Sequence, residues 1–161
     1  MTIAATRLLD WHRQIITLAH SLAEHLTGSS YAAAALIDAE KLYSVMAKEY
    51  IPKEERLLRT LEGHLETGEG SLSILFEEHR GILRILRQLI RSLRISIKAG
   101  GGGGESDRLR VANELKAALE EHFSKEENVV YWLAELRLSN REKRQLTHTT
   151  GVKVRVHSAC T

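Results

Sequence analysis

The stretch that decides the fold is Glu121-His122-Phe123-Ser124-Lys125-Glu126-Glu127-Asn128-Val129-Val130. It places an imidazole and a carboxylate, His122 and Glu126, one turn apart on the same face of a predicted helix. Steps of three and four residues define that face as Ala112, Leu115, Leu119, His122, Glu126, Val129, Leu133 and Leu136. A buried carboxylate is paired, protonated or bound to a metal, because leaving it alone is costly. The pattern therefore predicts a helix that carries part of a polar site into the interior.

The overall composition favours one soluble helical domain. A chain of 161 residues with 43% hydrophobic residues, one proline and few aromatic residues is typical of a single helical core. The net charge of +2 argues against nucleic acid or a membrane as a partner, and no apolar run is long enough to span a bilayer. Cys160 is the single cysteine, and Met1–Thr6 lack the pattern of a signal peptide, so we expect a cytoplasmic protein.

The first predicted helix runs from about Ala5 to Thr27, where Gly28 ends it. One of its inward positions, His12, is polar. The inward positions are Leu8, His12, Ile15, Ala19, Leu22 and Leu26.

The second predicted helix runs from a cap at Ser29 or Ser30 to about His64, and Pro52 should kink it or restart it. Its best inward positions are Tyr43, Ala47, Tyr50, Glu54, Leu57 and Leu61. A tyrosine and a glutamate four residues apart therefore lie on the inward face.

The third predicted helix runs from Ser71 to about Lys98 and has an uninterrupted apolar face with one polar member, His79. The members of that face are Leu72, Phe76, His79, Leu83, Leu86, Ile90, Leu93 and Ile97. The opposite face carries Arg84, Arg87, Arg91 and Arg94, which we interpret as a solvated surface.

The fourth predicted helix contains the opening stretch. It follows the glycine linker Gly100–Gly104, is capped by Ser106 or Asp107, and runs to about Arg137. The linker has no phosphate-loop context, because no strand precedes it and no Gly-Lys-Ser/Thr follows it.

The C-terminal part is less regular. Ser139-Asn140-Arg141-Glu142 is typical of a capping box and predicts a short fifth helix to about Leu146. Residues 147–161 show no helical period, although Val152, Val154 and Val156 alternate as in a strand. We therefore assign residues 1–146 to the domain and residues 147–161 to a tail without a predicted structure.

Together these patterns predict an all-α protein, an up-down-up-down four-helix bundle with a short C-terminal helix. The polar inward residues lie early in the first and third helices and late in the second and fourth. Antiparallel neighbours would bring them to one end of the bundle. The candidate site residues are His12, Tyr50, Glu54, His79, His122 and Glu126.

An internal repeat supports this placement. Leu8-Leu-Asp-Trp-His12-Arg-Gln-Ile15 parallels Leu75-Phe-Glu-Glu-His79-Arg-Gly-Ile82, and Glu49-Tyr50-Ile-Pro-Lys-Glu54-Glu55 parallels Glu121-His122-Phe-Ser-Lys-Glu126-Glu127. Each half supplies one histidine and then one ligand-x-x-x-Glu pair, so the two halves would form a pseudo-symmetric cup.

The residue types in this cup favour a metal site. Imidazole and carboxylate ligands without thiolate suit iron, manganese or zinc. Two carboxylates on opposite helices suit two ions a few ångströms apart, and six protein ligands for two ions leave positions open. The alternative is a polar layer in a metal-free bundle, but five residues in register favour the metal.

The pattern His…His-x-x-x-Glu…His…His-x-x-x-Glu resembles that of the hemerythrin-like (HHE cation-binding) domain family. The segments EEHRGILRIL, HFSKEENVV and PKEERLLRTL are similar to the family's usual contexts, and the resemblance covers about residues 5–137. It implies a non-haem diiron centre, two iron ions bridged by oxo or hydroxo, with manganese or zinc as alternatives. The implied ligands are His12, His79, His122, Glu54 and Glu126, with the two glutamates bridging.

One position departs from the family pattern, because Tyr50 stands where the family has its second histidine. A phenolate is a hard ligand for ferric iron, and we expect Tyr50 to bind iron or lie within hydrogen-bonding reach of it. The alternative is a packed tyrosine beside an open iron position, with Glu49 reaching in. Leu83 also replaces the additional histidine of oxygen-carrying hemerythrins.

The resemblance implies a protein that binds or turns over O2, peroxide or nitric oxide, in a role in oxidative or nitrosative stress. Tyr50 favours peroxide or nitric oxide handling, or redox sensing, over oxygen storage. The alternative from another class is an iron- or redox-sensing interaction module without turnover. A ferritin-like ferroxidase is disfavoured, because the inward faces lack the Glu-x-x-His pairs of that class.

Overall fold

The computed structural model describes residues 3–27, 32–65, 72–100 and 103–149, and all regular structure in these ranges is helical. The prediction of an all-α protein is thus confirmed for the described residues. The α-helices are α1 Ile3–His25, α2 Ala32–Ser44, α3 Ile51–Glu62, α4 Ser73–Lys98, α5 Glu105–Lys125, α6 Tyr131–Arg137 and α7 Asn140–Thr149. Two π-helical turns, π1 Val45–Tyr50 and π2 Glu126–Val130, interrupt this series.

Both π turns lie inside continuous helical runs. The N–H of Ile51 bonds to the carbonyl of Met46, and the N–H of Tyr131 bonds to that of Glu126, the five-residue spacing of a π turn. The residues at the junctions keep right-handed helical φ and ψ values. Consequently α2, π1 and α3 form the predicted second helix, and α5, π2 and α6 the predicted fourth. Pro52 lies in the first turn of α3, directly after π1, so the interruption predicted at this proline takes the form of a π turn within a continuous helical run.

The helices pack as a closed ring of neighbours. α1 lies against α2 and α5, and α4 lies against the same two helices. α7 covers one end by contacting α1 and α3. The buried side chains inside this ring are mainly leucine, isoleucine and alanine, and they supply the apolar core.

The predicted inward face of α1 is confirmed, since all six of its members are buried. The predicted face of the fourth helix is correct as far as Glu126, and of the three predicted positions beyond it only Leu133 is packed, partly buried, against the core. Val129 and Leu136 are 50% and 60% exposed, whereas Val130 is buried. The reason is π2, whose extra residue moves every following inward position by one.

The same effect corrects the second helix. Tyr43 and Ala47 are only partly buried, and the inward positions are taken by Leu42 in α2 and by Met46 in π1. In α4 the buried face is centred one position earlier than predicted, so Ser96 is buried and Ile97 is exposed. The apolar stripe of α4 is wide enough for either centring, and its packing against α2 and α5 selects the observed one.

The predicted capping box of the last helix is present. The Ser139 N–H donates to Glu142 Oε2 over 2.9 Å, and the Glu142 N–H donates to Ser139 Oγ over 3.3 Å. This helix continues to Thr149, three residues beyond the predicted end. The strand-like alternation of Val152, Val154 and Val156 lies outside the described residues.

The start of α5 differs from the prediction. The helix begins at Glu105 after Gly104, which has a φ of +74°, so neither Ser106 nor Asp107 is its cap. A positive φ is inexpensive for glycine and strained for other residues. Within the described ranges, no helix is long and apolar enough to cross a membrane.

Candidate metal centre

Four buried side chains on α3, α4, α5 and π2 converge at one level of the core. Each offers one ligand atom, and these atoms all lie within 4.8 Å of one another. Each of the four residues is at most 1% exposed. They are Glu54, His79, His122 and Glu126.

The contacts inside this cluster leave several polar atoms without a hydrogen bond. His122 Nε2 lies 2.6 Å from Glu126 Oε1, yet neither atom has a partner with hydrogen-bonding geometry. Glu54 Oε1 is also buried without a partner, while Glu54 Oε2 lies 3.0 Å from His79 Nε2. Buried polar atoms are normally paired. Unpaired nitrogen and oxygen atoms that converge on one point fit the ligand set of a cation.

A second group of donors lies beside the first and is centred on His12. Its Nε2 atom is 2.8 Å from the Tyr50 hydroxyl, 2.9 Å from the Tyr131 hydroxyl and 2.9 Å from Glu126 Oε2. The Tyr50 hydroxyl also donates a short hydrogen bond to Glu126 Oε2. The two oxygens of Glu126 therefore face two different groups, Oε1 towards His122 and Oε2 towards His12.

The structure thus brings all six sequence-predicted site residues together. Tyr50 is fully buried, whereas Glu49 is exposed and lies 3.2 Å from Lys53. The alternative in which Glu49 reaches into the site is therefore wrong. Tyr131 is a member that the sequence did not reveal, because a regular helix would not place it on the face of His122 and Glu126. π2 turns it inward.

Carboxylates hydrogen-bond the outer nitrogens of His12 and His122, and a third carboxylate lies beside that of His79 beyond hydrogen-bonding distance. His12 Nδ1 lies 2.7 Å from Glu127, His122 Nδ1 lies 2.8 Å from Glu78, and His79 Nδ1 lies 3.6 Å from Glu55. A carboxylate on Nδ1 orients the imidazole and leaves Nε2 free to face the centre, as is usual for metal-binding histidines. Glu55 and Glu127 directly follow the predicted ligands Glu54 and Glu126 in the sequence, whereas the sequence gave no signal for Glu78.

The comparison with protein families identifies the domain. A family model for the hemerythrin HHE cation-binding domain matches residues 70–150, about half of the chain. The chain belongs to this hemerythrin family. No curated protein and no solved structure matches it. The match covers His79, His122 and Glu126, so the assignment of His12, Tyr50 and Glu54 to the hemerythrin centre rests on the internal repeat and on the geometry above.

The two buried carboxylates of this hemerythrin site, Glu54 and Glu126, have pKa values shifted in opposite directions. Burial and the nearby charge of Glu126 raise the pKa of Glu54 to about 8. Burial acts in the same direction on Glu126, but the nearby imidazoles of His12, His122 and His79 outweigh it and hold the pKa of Glu126 well below its usual range. Without a cation, one proton therefore resides on Glu54 while Glu126 is ionised.

The imidazoles and phenols respond to the same two carboxylates. Burial lowers the pKa of His79, but the nearby carboxylates of Glu126 and Glu54 overcome this and raise it to about 9. The pKa of His122 is also raised, by Glu126 against the effect of burial. Burial and the negative charge of Glu126 raise the pKa of Tyr50 well above 10. The cluster thus retains protons that a bound cation would displace.

The remaining described histidines lie outside the centre. His20 is 3.8 Å from Glu120, His25 is 2.9 Å from Asp38, and His64 is 2.8 Å from Glu142, all near the surface. None of these three pairings joins the cluster of Glu54, His79, His122 and Glu126.

Proposed function

We propose that the chain is a non-haem diiron protein that reacts with small oxygen or nitrogen species, namely O2, peroxide or nitric oxide. The observation that carries this proposal is the position of Glu126, whose two oxygens face separate donor groups. One ion would be held by His79 and His122 and the other by His12 and Tyr50, with Glu126 and Glu54 shared. The closed ring of helices is proposed to be the up-down-up-down bundle in which such cups occur.

The donor set supports iron, with manganese and zinc as alternatives. Imidazole, carboxylate and phenol oxygen suit these borderline to hard ions, and the described residues offer no thiolate ligand. The spacing also fits, since cis ligands of ions bound at about 2.0–2.2 Å lie about 3 Å apart. The contacts of His12 Nε2 with Tyr50, Tyr131 and Glu126 are 2.8–2.9 Å.

When bound, two iron ions would supply one- and two-electron redox chemistry towards a small oxidant. The chain itself provides a dry chamber and proton donors. Phe123 stacks on the His12 ring with 4.0 Å between centroids and shields this side from water. Tyr131, with its hydroxyl 2.9 Å from His12 Nε2, holds a proton beside the open positions. Tyr50 as a phenolate ligand would favour the ferric state, which supports peroxide or nitric oxide handling over oxygen storage.

A specific observation also favours the second function, a metal-sensing interaction module. Glu54 Oε1, His122 Nε2 and Glu126 Oε1 are buried without hydrogen bonds, which destabilises the metal-free core. Metal binding would therefore stabilise the fold, and a partner could read that change.

The deciding experiment compares iron-loaded protein with zinc-loaded protein, which has the same ligands but no redox chemistry. Each is mixed with peroxide, nitric oxide and O2, and consumption per chain is measured. Consumption by the iron form above that of the zinc form supports the first function. Equal consumption, together with metal-dependent protection from a protease, supports the sensing module. The absence of both consumption and protection from the protease would contradict both functions.

A further inference from the structure

A groove of about 330 Å³ lies between α4 and α5, away from the metal centre. On α4, Ser96 follows His79 by 17 residues, and on α5, Arg108 precedes His122 by 14. These separations correspond to about 25 Å and 21 Å along the helices. The side chains with hydrogen-bond donors that line the groove are Gln88, Arg91, Ser92, Ser96 and Arg108.

Arg108 is the unusual member of this groove. It is only 7% exposed, and its Nε atom is buried without a hydrogen-bond partner. In the part of the chain that the structure describes, no carboxylate lies within salt-bridge distance of it. Its neighbour Arg110, by contrast, is exposed and lies 2.7 Å from Glu114. A buried cation without an anion is energetically costly, so binding a negatively charged group here would stabilise the fold.

Ser96 provides a second buried donor on the opposite wall. It is 4% exposed and occupies an inward position of α4 that the apolar pattern would give to a hydrophobic residue. A helical serine often turns its hydroxyl to the carbonyl four residues earlier. Ser96 Oγ instead has no hydrogen-bond partner, although it is buried. Two unpaired polar side chains, each more than nine-tenths buried, therefore line one groove.

The start of α5 is shaped around the Arg108 head group. A Cβ atom on Gly104 would lie 3.1 Å from Arg108 Nη1, and the φ of +74° also favours glycine there. The nearby acids do not neutralise Arg108, because Glu105 and Asp107 are exposed and Asp107 lies 3.9 Å from Arg110. Glu105 and Asp107 would repel an anion at the rim of the groove. They do not cancel the positive charge of the two guanidinium groups that line it, those of Arg91 and Arg108.

We propose that this groove binds a phosphate group, either inorganic phosphate or a small phosphate monoester. Two guanidinium groups, Arg108 and Arg91, match the charge of about −1.5 to −2 that a phosphate monoester carries at neutral pH. Five donor side chains line the groove, which is more than the two oxygens of a carboxylate can accept with good geometry. A phosphate monoester offers three terminal oxygens and therefore suits this number of donors better. Planar guanidinium groups also pair with phosphate in a bidentate manner.

The test is thermal unfolding of the full chain in phosphate, in glycerol phosphate and in acetate, at equal ionic strength. Phosphate tenfold above its dissociation constant should raise Tm by about 3–6 °C, and acetate should raise it less. Tighter binding of glycerol phosphate than of phosphate would identify an organic monoester as the ligand. Weaker binding would identify inorganic phosphate.

Variants separate this site from a general charge effect. Arg108→Met should abolish the phosphate shift and, without phosphate, leave the protein at least as stable, because an unpaired buried cation is removed. Arg110→Met, a matched loss of charge two residues away, should retain the shift. Ser96→Ala, which keeps the charge, should weaken phosphate binding about tenfold and serves if Arg108→Met does not fold. An equal rise in Tm with phosphate for Arg108→Met and wild type would overturn the proposal. It would also be overturned if millimolar phosphate raised Tm no more than chloride at the same ionic strength.

Discussion

Tyr50 occupies the place in the first repeat that His122 occupies in the second. Its hydroxyl contacts both His12 and the Oε2 atom of Glu126, so it stands where an ion on that side would sit. Burial raises the pKa of Tyr50, and the phenol is therefore neutral until a cation offsets that effect. Tyr131 lies on the same side, with its hydroxyl 2.9 Å from His12 Nε2.

Replacing Tyr50 with phenylalanine tests which phenol binds iron. We expect the iron-loaded wild type to show a broad visible band from phenolate-to-iron charge transfer, and we expect Tyr50→Phe to lose it. Tyr131→Phe removes an equivalent hydroxyl and should keep the band. Absorption spectra of the three iron-loaded proteins decide the matter. A band that survives in Tyr50→Phe and disappears in Tyr131→Phe would show that Tyr131 is the ligand and would contradict the assignment to Tyr50.

Glu78 supports the site from outside, because it accepts a hydrogen bond from His122 Nδ1 over 2.8 Å. Removing such a carboxylate typically weakens metal binding about 10–100-fold. We expect Glu78→Gln to do so in a competition titration against a chelator. Glu77→Gln is the matched control, since Glu77 is exposed and pairs with Arg80. Equal affinities of the two variants would show that Glu78 does not support His122.

The protonation of the metal-free cluster predicts an unusual dependence of stability on pH. The folded pKa of His79 is about 9 against an ordinary 6.5, and that of Glu54 is about 8 against 4.5. The folded state thus binds these protons more tightly than the unfolded state. The stabilisation is complete below the ordinary values and is lost as pH rises through about 8 to 9.

Urea unfolding of chelator-treated protein should therefore give a free energy of unfolding that falls between pH 6.5 and pH 9. Metal-loaded protein should lack this fall, because binding has already displaced the protons. A metal-free protein whose stability stays flat or rises across this range would contradict the proposed protonation.

At the scale of elements, π2 decides which residues follow Glu126 into the core. Its extra residue brings Val130 and Tyr131 inward and leaves Val129 exposed. Removing one residue from π2 would restore a regular helix in which these two residues stand three and four positions after Glu126. Those positions share its face, so the core would be kept.

We therefore expect deletion of Asn128, an exposed member of π2, to give a folded protein. Its free energy of unfolding should change by no more than about 1 kcal/mol, because the buried side chains keep their places. Deletion of Asn113, exposed in the uninterrupted part of α5, should unfold the protein, since it rotates one part of the helix by about 100° against the other. Circular dichroism and urea titration measure both, and similar losses would refute this role for π2.

The same element marks the limit of prediction from the sequence. A period of 3.6 residues was sufficient for α1, where all six predicted inward residues are buried. It also located Glu54, His79 and His122, because each lies on an apolar face that continues on both sides. It failed after Glu126 and before Tyr50, where a π turn changes the period without a sequence signal that we could recognise.

Contacts between distant segments were beyond that reasoning for a different reason. Tyr131 against His12, and Glu78 against His122, join residues whose meeting depends on how the helices are rotated in the assembled core. The unpaired Arg108 was equally hidden, because a sequence shows a charge but not the absence of its counter-ion. The periodicity predicted the inward faces, and packing determined which side chains on neighbouring faces touch.

For the whole molecule, the two repeats supply a similar histidine and glutamate but differ in detail. The second repeat gives His122 with a supporting Glu78, whereas the first gives Tyr50 and places its π turn before the ligand pair rather than after it. The two halves of the centre are therefore chemically different.

The central claim is that these two unlike halves together bind two iron ions per chain. Its most direct test is iron content per chain after anaerobic loading, measured for wild type and for Glu126→Ala. We expect about two irons in the wild type and near-complete loss in the variant, because both halves share Glu126. A wild-type protein that stays colourless and metal-free, or a variant that still holds two irons, would contradict it.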